Sequence, residues 1–411
     1  MRFLHLADLH LGKSLHGLSL LESGDQPAWV ERFLALTESL RPDAVLVAGD
    51  VYDRSAPSGD AVELLDRLLT GLAEREIPTL LVAGNHDSGQ RLAFAGSLLA
   101  KQHLYIAGTL PQGGRLERVT LRDEYGPVHF WLLPYTFPAL AARALGDETI
   151  RDYGTALGRL LAAQKIDFSQ RNVLVAHQNV TWGGQEVQRG GSESTVGGLG
   201  QVDASVFDGF SYVALGHIHA ACPVGKSSVR YAGSPLCYHF DELRQPQKGP
   251  LLVTLGALGE EPRTETLLIP PLHPLRELRG SYEELRAAEL AECRRGEYLR
   301  IVLTDWRPSP EIGDFFRQLA RARESEVLEL LSEYRPYGGE SRVPAAGARE
   351  KSVEELFADF YTERCGEAPG EAELELLHCA GELMRHREPG TPLQKEIEAL
   401  LEALSRQEVQ E

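Results

Sequence analysis

Two histidines stand one residue apart just after an apolar run near the middle of the chain. In "YVALGHIHAA", residues 212–215 predict a buried strand that ends at Gly216, and His217 and His219 follow it. Residues i and i+2 of an extended chain point to the same side, so the two imidazoles could hold a metal ion. Two polar residues at the end of a strand would give the same pattern. The pair by itself leaves both interpretations open.

Further side chains that can bind metals follow the other strand-like runs. They are Asp8 and His10 in "ADLHLG", Asp50 in "AGDVYDR", Asn85 and His86 in "AGNHDS", and His177 in "LVAHQN". Taken singly, each would more often be a helix cap or a solvated group. Burying so many polar groups without partners is very costly. A shared cluster of cations is therefore the simplest explanation for the whole set.

The donor types indicate which ions such a cluster would hold. Imidazoles combined with carboxylates and an amide suit Mn, Fe or Zn better than Mg or Ca, which prefer oxygen ligands. The set is too large for one tetrahedral ion but sufficient for two ions that share a ligand, and Asp50 is the candidate for the bridging carboxylate. With only Asp8 and Asp50 as anions, the ions would keep enough positive charge to hold a phosphodiester and acidify a water.

Strand-like and helical runs alternate in the first part of the chain. "MRFLHLA", "AVLVAG", "TLLVAG" and "NVLVAH" predict strands, whereas "WVERFLALTESL" and "GDAVELLDRLLTGLAER" show helical spacing of apolar residues. This alternation predicts a layered sheet with helices outside and functional groups at the carboxyl ends of the strands. "FWLLPY", "VRYAGSPL" and "PLLVTLG" predict strands joined by turns. The predicted fold class is therefore α/β, in part α+β, with a mixed sheet.

Composition shifts divide the chain into three predicted domains. The proline-rich "LIPPLHPL" ends a first domain of residues 1–272, and residues 273–338 predict a small α/β cap domain containing the strand "YLRIVLT". Residues 350–411 predict a helical tail with apolar residues at i, i+3 and i+4. This tail is either the end of an ordinary bundle or a docking surface for helices of another protein. The Gly- and Ser-rich "GGQEVQRGGSESTVGG" predicts a mobile loop.

Bulk composition narrows the choice of partners. The net charge of −18 over 411 residues should repel a polyanion, so a nucleic-acid role requires a local positive site such as bound metal ions. The five cysteines are scattered, without a CxxC, which fits a reduced cytoplasm. We find no signal peptide and no apolar run near the ~20 residues of a membrane helix. Both Gly-Lys-Ser triplets lack the earlier glycine of a phosphate-binding loop, so no nucleotide cofactor site is predicted.

The order of the motifs adds a family resemblance to this interpretation. "DLH", "GDVYDR", "GNHD", the histidine of "VAHQN" and "GHIH" resemble the calcineurin-like metallophosphoesterases. "GKSLHGLSLLE", "VGGLGQVDASVFDGFSYVALGHIH" and "YAGSPLCYHFDE" resemble the Mre-type nucleases within them, and this resemblance covers nearly the whole chain. The family pattern implies two ligand sets: Asp8, His10, Asp50 and His219 for one ion, and Asp50, Asn85, His177 and His217 for the other.

The same resemblance implies roles for neighbouring residues. His86 is not a ligand in the family pattern and would stand near the scissile phosphate, where it protonates the leaving oxygen or stabilises developing charge. The alternative is that His86 only hydrogen-bonds the ligands. Asp53 could orient His86. Arg54 could approach a phosphate, although an ion pair with a nearby carboxylate is the simpler expectation.

The function implied by the resemblance is a two-metal DNA nuclease that uses Mn²⁺. It would degrade double-stranded ends from 3′ to 5′, release 5′ nucleotides and open single strands and hairpins, in DNA recombination, repair and replication. A homodimer formed through the nuclease domain would work with an SMC-family ATPase that docks on the helical tail, with the cap domain binding DNA. Contacts through phosphates predict weak sequence specificity and steep salt dependence.

Two alternatives to the nuclease remain. A generic binuclear phosphatase or phosphodiesterase would use the same ions, but the cap and tail argue against it. A non-catalytic tether for DNA ends would carry a vestigial site, but the complete ligand set argues against that.

Overall fold

The computed structural model describes residues 1–185, 200–245, 247–287, 294–305 and 309–333, together with Thr362 and Gly370. Met1–Tyr334 form one compact unit. The predicted helical tail, apart from those two residues, and most of the predicted Gly- and Ser-rich loop lie outside the described residues.

The strands and helices of the described residues follow in chain order. The strands are β1 Arg2–Leu6, β2 Ser14–Leu15, β3 Leu18–Ser19, β4 Ala44–Ala48, β5 Thr79–Val82, β6 Leu104–Ala107, β7 Glu117–Asp123, β8 Gly126–Leu133, β9 Arg171–His177, β10 Asn179–Thr181, β11 Gln201–Asp203, β12 Tyr212–Gly216, β13 Cys222–Val224, β14 Lys226–Tyr231, β15 Leu251–Thr254, β16 Arg263–Thr266, β17 Leu275–Gly280, β18 Tyr298–Leu303 and β19 Glu326–Ser332. The α-helices are α1 Asp25–Leu40, α2 Gly59–Glu74, α3 Gly89–Leu92, α4 Gly96–Leu99, α5 Pro138–Leu145, α6 Tyr153–Ala163, α7 Tyr282–Ala287 and α8 Pro310–Arg321. Short 3₁₀ helices cover Ala100–Gln102, Ala204–Phe207 and Phe240–Arg244.

Two six-stranded sheets form the centre of the compact unit. The first has the order β16-β15-β1-β4-β5-β6, parallel from β1 to β6, with β15 and β16 antiparallel at one edge. The second has the order β13-β14-β12-β9-β8-β7, parallel from β14 to β8, with an antiparallel strand at each edge. The predicted layered, mixed α/β fold is confirmed.

Apolar side chains fill three layers between and outside these sheets. Phe3, Phe130 and Tyr212 meet between the sheets, where the ring centre of Phe3 lies 5.8 Å from that of Phe130 and 5.7 Å from that of Tyr212. Helices α1 and α2 cover the outer face of the first sheet, and α5 and α6 cover that of the second. Because β4 is buried on both faces, its sequence is an unbroken apolar run rather than an alternating one.

Local signals explain where the covering helices begin. Ser58 precedes α2, and its hydroxyl accepts a hydrogen bond from the backbone N–H of Ala61, which satisfies a donor of the first turn. Asp152 caps α6 in the same way by accepting from Thr155. The two helices turn leucines at helical spacing toward the core.

A smaller sheet follows the proline-rich segment and is called here the C-terminal sheet. It consists of β17, β18 and β19, all parallel, with α7 between the first two strands and α8 between the last two. Leu299, Ile301 and Phe316 belong to its own apolar core. Among the described residues, no helix combines the length and apolar character needed to cross a membrane.

Candidate metal centre

The eight predicted site residues lie where five parallel strands end. Asp8 and His10 follow β1, Asp50 follows β4, Asn85 and His86 follow β5, His177 closes β9, and His217 and His219 follow β12. The strands β1, β4 and β5 belong to the first sheet, and β9 and β12 belong to the second. Because the carboxyl ends of all five strands lie at one edge of the paired sheets, the structure brings the eight side chains together in one cluster.

The backbone is strained where the chain leaves these strands. Asp8, His10, Asp50 and His217 all have positive φ angles, of 54°, 42°, 48° and 111°. Such conformations cost a non-glycine residue of order 1–3 kcal/mol and persist only where the surroundings impose them. Here the turns are tied to one another: the N–H of Asp8 donates to Gly49 O at 3.0 Å, and the N–H of His217 donates to the Asp8 carboxylate at 3.0 Å.

Close backbone approach explains the glycines that precede the site residues. A Cβ atom on Gly216 would lie 1.8 Å from the carbonyl oxygen of Ala48 and 2.8 Å from Nδ1 of His177. A Cβ atom on Gly84 would lie 2.1 Å from Oδ1 of Asp50. Glycine at position 216 therefore allows the two sheets to come together at this edge, and glycine at position 84 allows the turn after β5 to lie against Asp50.

One half of the cluster contains Asp8, His10 and His219. Each offers a ligand atom, and these atoms lie within 4.8 Å of one another. The Nε2 atoms of His10 and His219 face each other at 3.1 Å. Behind His219, Oε1 of the buried Glu242 lies 3.2 Å from Nδ1. Burial raises the pKa of Glu242, but the hydrogen bond from His219 and the charge of Lys248 bring this pKa down to about 2. Glu242 therefore accepts the Nδ1 proton, and the Nε2 lone pair of His219 points toward His10.

The other half contains Asn85, His177 and His217. The Nδ1 of His177 donates to the carbonyl of Ala48 at 2.8 Å, so its Nε2 faces the centre, where it can bind a proton or a metal ion. That Nε2 lies 2.9 Å from Oδ1 of Asn85 and 3.3 Å from Oδ2 of Asp50, and the same Asn85 oxygen lies 3.2 Å from Nδ1 of His217. Acceptor atoms at these distances repel one another unless a cation or a proton lies between them. The donor set therefore fits divalent ions.

Asp50 connects the two halves. Its Oδ2 lies 3.3 Å from Nε2 of His177 and 3.7 Å from Nε2 of His10, while its Oδ1 accepts from the N–H of His86 at 2.9 Å. Burial raises the pKa of Asp50, but His177 outweighs this effect and holds the pKa well below its usual range. Asp50 is therefore an ionised carboxylate at the position expected of a bridging ligand.

The protonation of Asp8 and His177 shows the same need for positive charge. Burial raises the pKa of Asp8 to about 7, against the opposing effect of His177 and His219. Burial alone would lower the pKa of His177, but the charges of Asp50 and Asp8 raise it to about 9. Without ions, protons neutralise the buried cluster. Divalent cations held by these ligands would take the place of those protons.

His86 lies at the edge of the cluster and is half-buried. Its ring stands perpendicular to that of His10, with 4.9 Å between ring centres. Its Nδ1 lies 2.9 Å from the backbone carbonyl of Asp53, which can only accept a hydrogen bond. Asp53 thus orients His86 through its backbone, whereas its carboxylate pairs with Lys13 at 2.8 Å. Arg54 is 80% exposed, and its Nε lies 3.8 Å from the Asp53 carboxylate.

Sequence reasoning missed the residues that support the cluster from outside. The carboxylate of Asp87 accepts from the backbone N–H groups of Val51, Tyr52 and Gly84 and so ties the turn after β4 to the turn after β5. An acidic residue directly after "GNH" was the available signal for Asp87. Glu242 ends the segment "YAGSPLCYHFDE", which resembles the family, but nothing in that segment indicates a contact with His219, 23 residues away in the chain.

Comparison with known proteins identifies the family. Residues 1–221 match the model of the calcineurin-like phosphoesterases. The chain is 33% identical over 308 residues to the SbcD subunit of nuclease SbcCD from Staphylococcus saprophyticus, covering 74% of this chain and 78% of that protein. The chain belongs to the SbcD family of metallophosphoesterases. The SbcD protein of Staphylococcus epidermidis is 32% identical over 311 residues, covering 74% of this chain and 79% of its own.

A second family model matches the C-terminal part of the chain, and solved structures provide a further comparison. Residues 271–364 match the model SbcD_C, described as the type 5 capsule protein repressor C-terminal domain. The crystal structure of TT1561 of Thermus thermophilus covers 64% of this chain and 98% of its own, at 15% identity and a TM-score of 0.39. Membership of the SbcD family confirms the predicted enzyme class, a metal-dependent hydrolase of the nuclease type. Divalent metal ions, as predicted, are the cofactors of this family.

We expect the Gly216→Ala variant to unfold more easily than the wild type, because its Cβ would collide with the Ala48 carbonyl in a buried strand. Overpacking of this kind costs about 1–3 kcal/mol. Gly158→Ala in helix α6 is the matched control, since a Cβ there meets no atom within 4 Å. This control should stabilise the protein by about 0.5–1 kcal/mol. Urea unfolding of both variants measures the difference, and a wild-type midpoint for Gly216→Ala would contradict the close approach.

Proposed function

We propose that this chain cleaves DNA with two divalent ions that share Asp50 as a ligand. The observation that carries the proposal is the position of Asp50 Oδ2, 3.7 Å from His10 Nε2 and 3.3 Å from His177 Nε2. One ionised carboxylate oxygen thus faces both halves of a cluster whose other atoms are mostly acceptors. Two ions with a common ligand satisfy this arrangement better than one ion does.

We assign the two ligand sets as the family pattern implies, and contacts within each set support this assignment. One ion would be held by Asp8, His10, Asp50 and His219, as the 3.1 Å approach of the two imidazoles of this set supports. The other would be held by Asp50, Asn85, His177 and His217, as the two contacts of Asn85 Oδ1 support. The mixed nitrogen and oxygen donors suit Mn²⁺, Fe²⁺ or Zn²⁺, and of these we propose Mn²⁺ as the native metal. When bound, the ions would supply an acidified water and stabilise charge on the attacking and leaving oxygens.

The chain's own residues then position and protonate the substrate. His86 is held by the Asp53 carbonyl at Nδ1, so its Nε2 is the atom that can carry a proton to the leaving oxygen. Its half-buried position at the edge of the cluster fits contact with a phosphate bound there. In a 3′–5′ exonuclease the leaving atom is the 3′ oxygen, and 5′ nucleotides are released. Endonucleolytic opening of single strands and hairpins belongs to the same proposal.

Partners follow from the family relationship. Because the relatives are named as a subunit of the nuclease SbcCD, we propose that this chain works with an SbcC-like ATPase of the SMC family in DNA recombination, repair and replication. We further propose that this ATPase docks on residues 350–411 and that the cap domain, residues 273–338, binds DNA. We also propose a cytoplasmic location. The assembly would contain two copies of each subunit.

A pair of exposed apolar side chains supports a homodimer of this chain. Phe94 is 80% exposed and Leu98 is 65% exposed, and both lie in the connection between β5 and β6. Two large apolar side chains with this exposure, four residues apart, fit a contact surface between proteins. We therefore propose that a second copy of the chain covers them.

We expect the wild-type protein with Mn²⁺ to release labelled nucleotide from a 3′-end-labelled DNA duplex. A small chromogenic phosphodiester serves as the comparison substrate, and both reactions are run with and without the ATPase partner. Chelation of the metal should abolish cleavage, and added NaCl should reduce it steeply, because the contacts run through phosphates. Hydrolysis of the small ester alone, under both conditions, would contradict the nuclease proposal.

We expect His86→Ser to reduce cleavage of the same duplex by roughly 10²–10⁴-fold, the usual contribution of general acid catalysis. Mn²⁺ binding by calorimetry and DNA binding by anisotropy should stay at wild-type values. His103→Ser is the control, because this exposed histidine lies just before β6, at the opposite end of the strands. Wild-type cleavage by His86→Ser would exclude the proposed role.

We expect the double variant Phe94→Asp/Leu98→Asp to be monomeric in light scattering at micromolar concentration, where the wild type is dimeric. Charge placed in an apolar contact opposes its burial. Leu258→Asp changes another exposed leucine, 49% exposed, in the connection between β15 and β16 and should leave the dimer intact. A dimeric double variant would show that the two copies meet elsewhere, and a monomeric wild type would contradict the dimer itself.

A further inference from the structure

Arg300 on β18 is a buried cation, 7% exposed, with ionic partners on three elements. Within the C-terminal sheet, its Nε lies 2.6 Å from Glu329, and its Nη1 lies 3.4 Å from Glu277. Outside that sheet, Nη1 lies 2.8 Å from Asp241, and the guanidinium carbon lies 4.8 Å from the ring centre of Phe240. Asp241 and Phe240 both belong to the 3₁₀ helix Phe240–Arg244. The guanidinium therefore joins the C-terminal sheet to this helix.

The next residue of that 3₁₀ helix faces the metal centre. Glu242 is 3% exposed, and its Oε1 lies 3.2 Å from Nδ1 of His219. Its Oε2 lies 2.7 Å from Nζ of Lys248, which also donates to the backbone carbonyl of His219 at 2.7 Å. Adjacent carboxylates of one short helix thus contact Arg300 on one side and a site histidine on the other.

A helix of this length does not hold its position by itself. The 3₁₀ segment has five residues, and short 3₁₀ helices have poor hydrogen-bond geometry. Its place is fixed by what it contacts: Phe240 is almost fully buried, and Arg300 contacts both that ring and Asp241. A shift of this helix would move the Glu242 carboxylate relative to the His219 ring.

We propose that Arg300 is a positioning residue for the metal centre, acting through Phe240–Arg244 and Glu242 to fix the orientation and tautomer of His219. This inference rests on the two-ion nuclease proposed above, in which His219 is a ligand. Loss of a group that orients a metal-binding histidine lowers metal affinity by about 10–100-fold. Because Arg300 acts one step behind Glu242, we expect its loss to lie near the lower end of that range.

Calorimetric titration of the full-length protein with Mn²⁺ tests this role without relying on activity. Arg300→Met should weaken one of two Mn²⁺ sites about tenfold. Asp241→Asn should also weaken Mn²⁺ binding. Because the Asp241 side chain is 46% exposed, this substitution should destabilise the fold less than a substitution at Arg300. Arg276→Met is the matched control. It removes an equally short bidentate pair, Arg276 with Glu297 at 2.6 and 2.8 Å, within the C-terminal part, and should leave Mn²⁺ affinity unchanged.

A double-mutant cycle distinguishes a positioning role of Arg300 from a general loss of stability. If Arg300 acts through Glu242, Arg300→Met should no longer change Mn²⁺ affinity in a Glu242→Gln background. Three outcomes would each overturn the inference and leave the two-ion proposal intact. They are wild-type Mn²⁺ affinity in both Arg300→Met and Asp241→Asn, an equal loss of affinity in Arg276→Met, and additive effects in the cycle. A wild-type protein that binds no Mn²⁺ would overturn both.

Discussion

The site residues place several hydrogen-bond acceptors around the Asp50 carboxylate, and the rest of the structure depends on this arrangement. The Nδ1 atoms of His177 and His219 are held by Ala48 O and Glu242, so their Nε2 atoms point inward. They face a cluster in which Asp8, His10 and Asp50 are buried, whereas Asn85 is exposed and His86 and His217 are half-buried. Such a cluster is stable only when positive charge enters it, as protons or as metal ions. Against the effect of burial, the charges of Asp50 and Asp8 raise the pKa of His177 to about 9, which reflects the same requirement for positive charge.

The paired sheets supply the rigidity that this cluster needs. Four site residues, Asp8, His10, Asp50 and His217, adopt left-handed backbone conformations, which together cost several kcal/mol. These residues sit directly after strands that are almost fully buried, so the surrounding core holds the turns in place. Replacing a loop on such a scaffold would change the site, whereas replacing a strand would remove it. The two stable six-stranded sheets therefore fix the positions of the site residues at their shared edge.

The sequence could predict the strands that end at this edge and the residues that follow them. It could do so because buried parallel strands leave unbroken apolar runs, as in Ala44–Ala48, and because metal-binding side chains directly after such runs are conspicuous. Helices α5 and α6 were not predicted, although alanine, leucine and arginine in their sequences favour a helix. The assignment of ligands to two ions remains a prediction, as do the domain boundaries.

Supporting contacts could not be predicted, because they join residues that are distant in the chain or use the backbone. Arg300 meets Asp241 across 59 positions, and no local pattern marks either residue as part of a metal site. His86 is oriented by the carbonyl of Asp53, an atom that every residue type possesses. Residue types and spacing thus reveal which groups can do chemistry. The structure is needed to see which groups hold them in place.

Charge links the proposed ions to the proposed substrate. The chain carries a net charge of −18, so its average field opposes the approach of DNA. Positive charge at the Asp50 cluster must then come mainly from bound ions, and a phosphodiester is attracted there only once they are present. Thermodynamic linkage makes the effect reciprocal: a phosphate bound at the site stabilises the ions by the same free energy with which the ions stabilise the phosphate. Metal binding and DNA binding are, on this proposal, one coupled equilibrium centred on a single buried carboxylate.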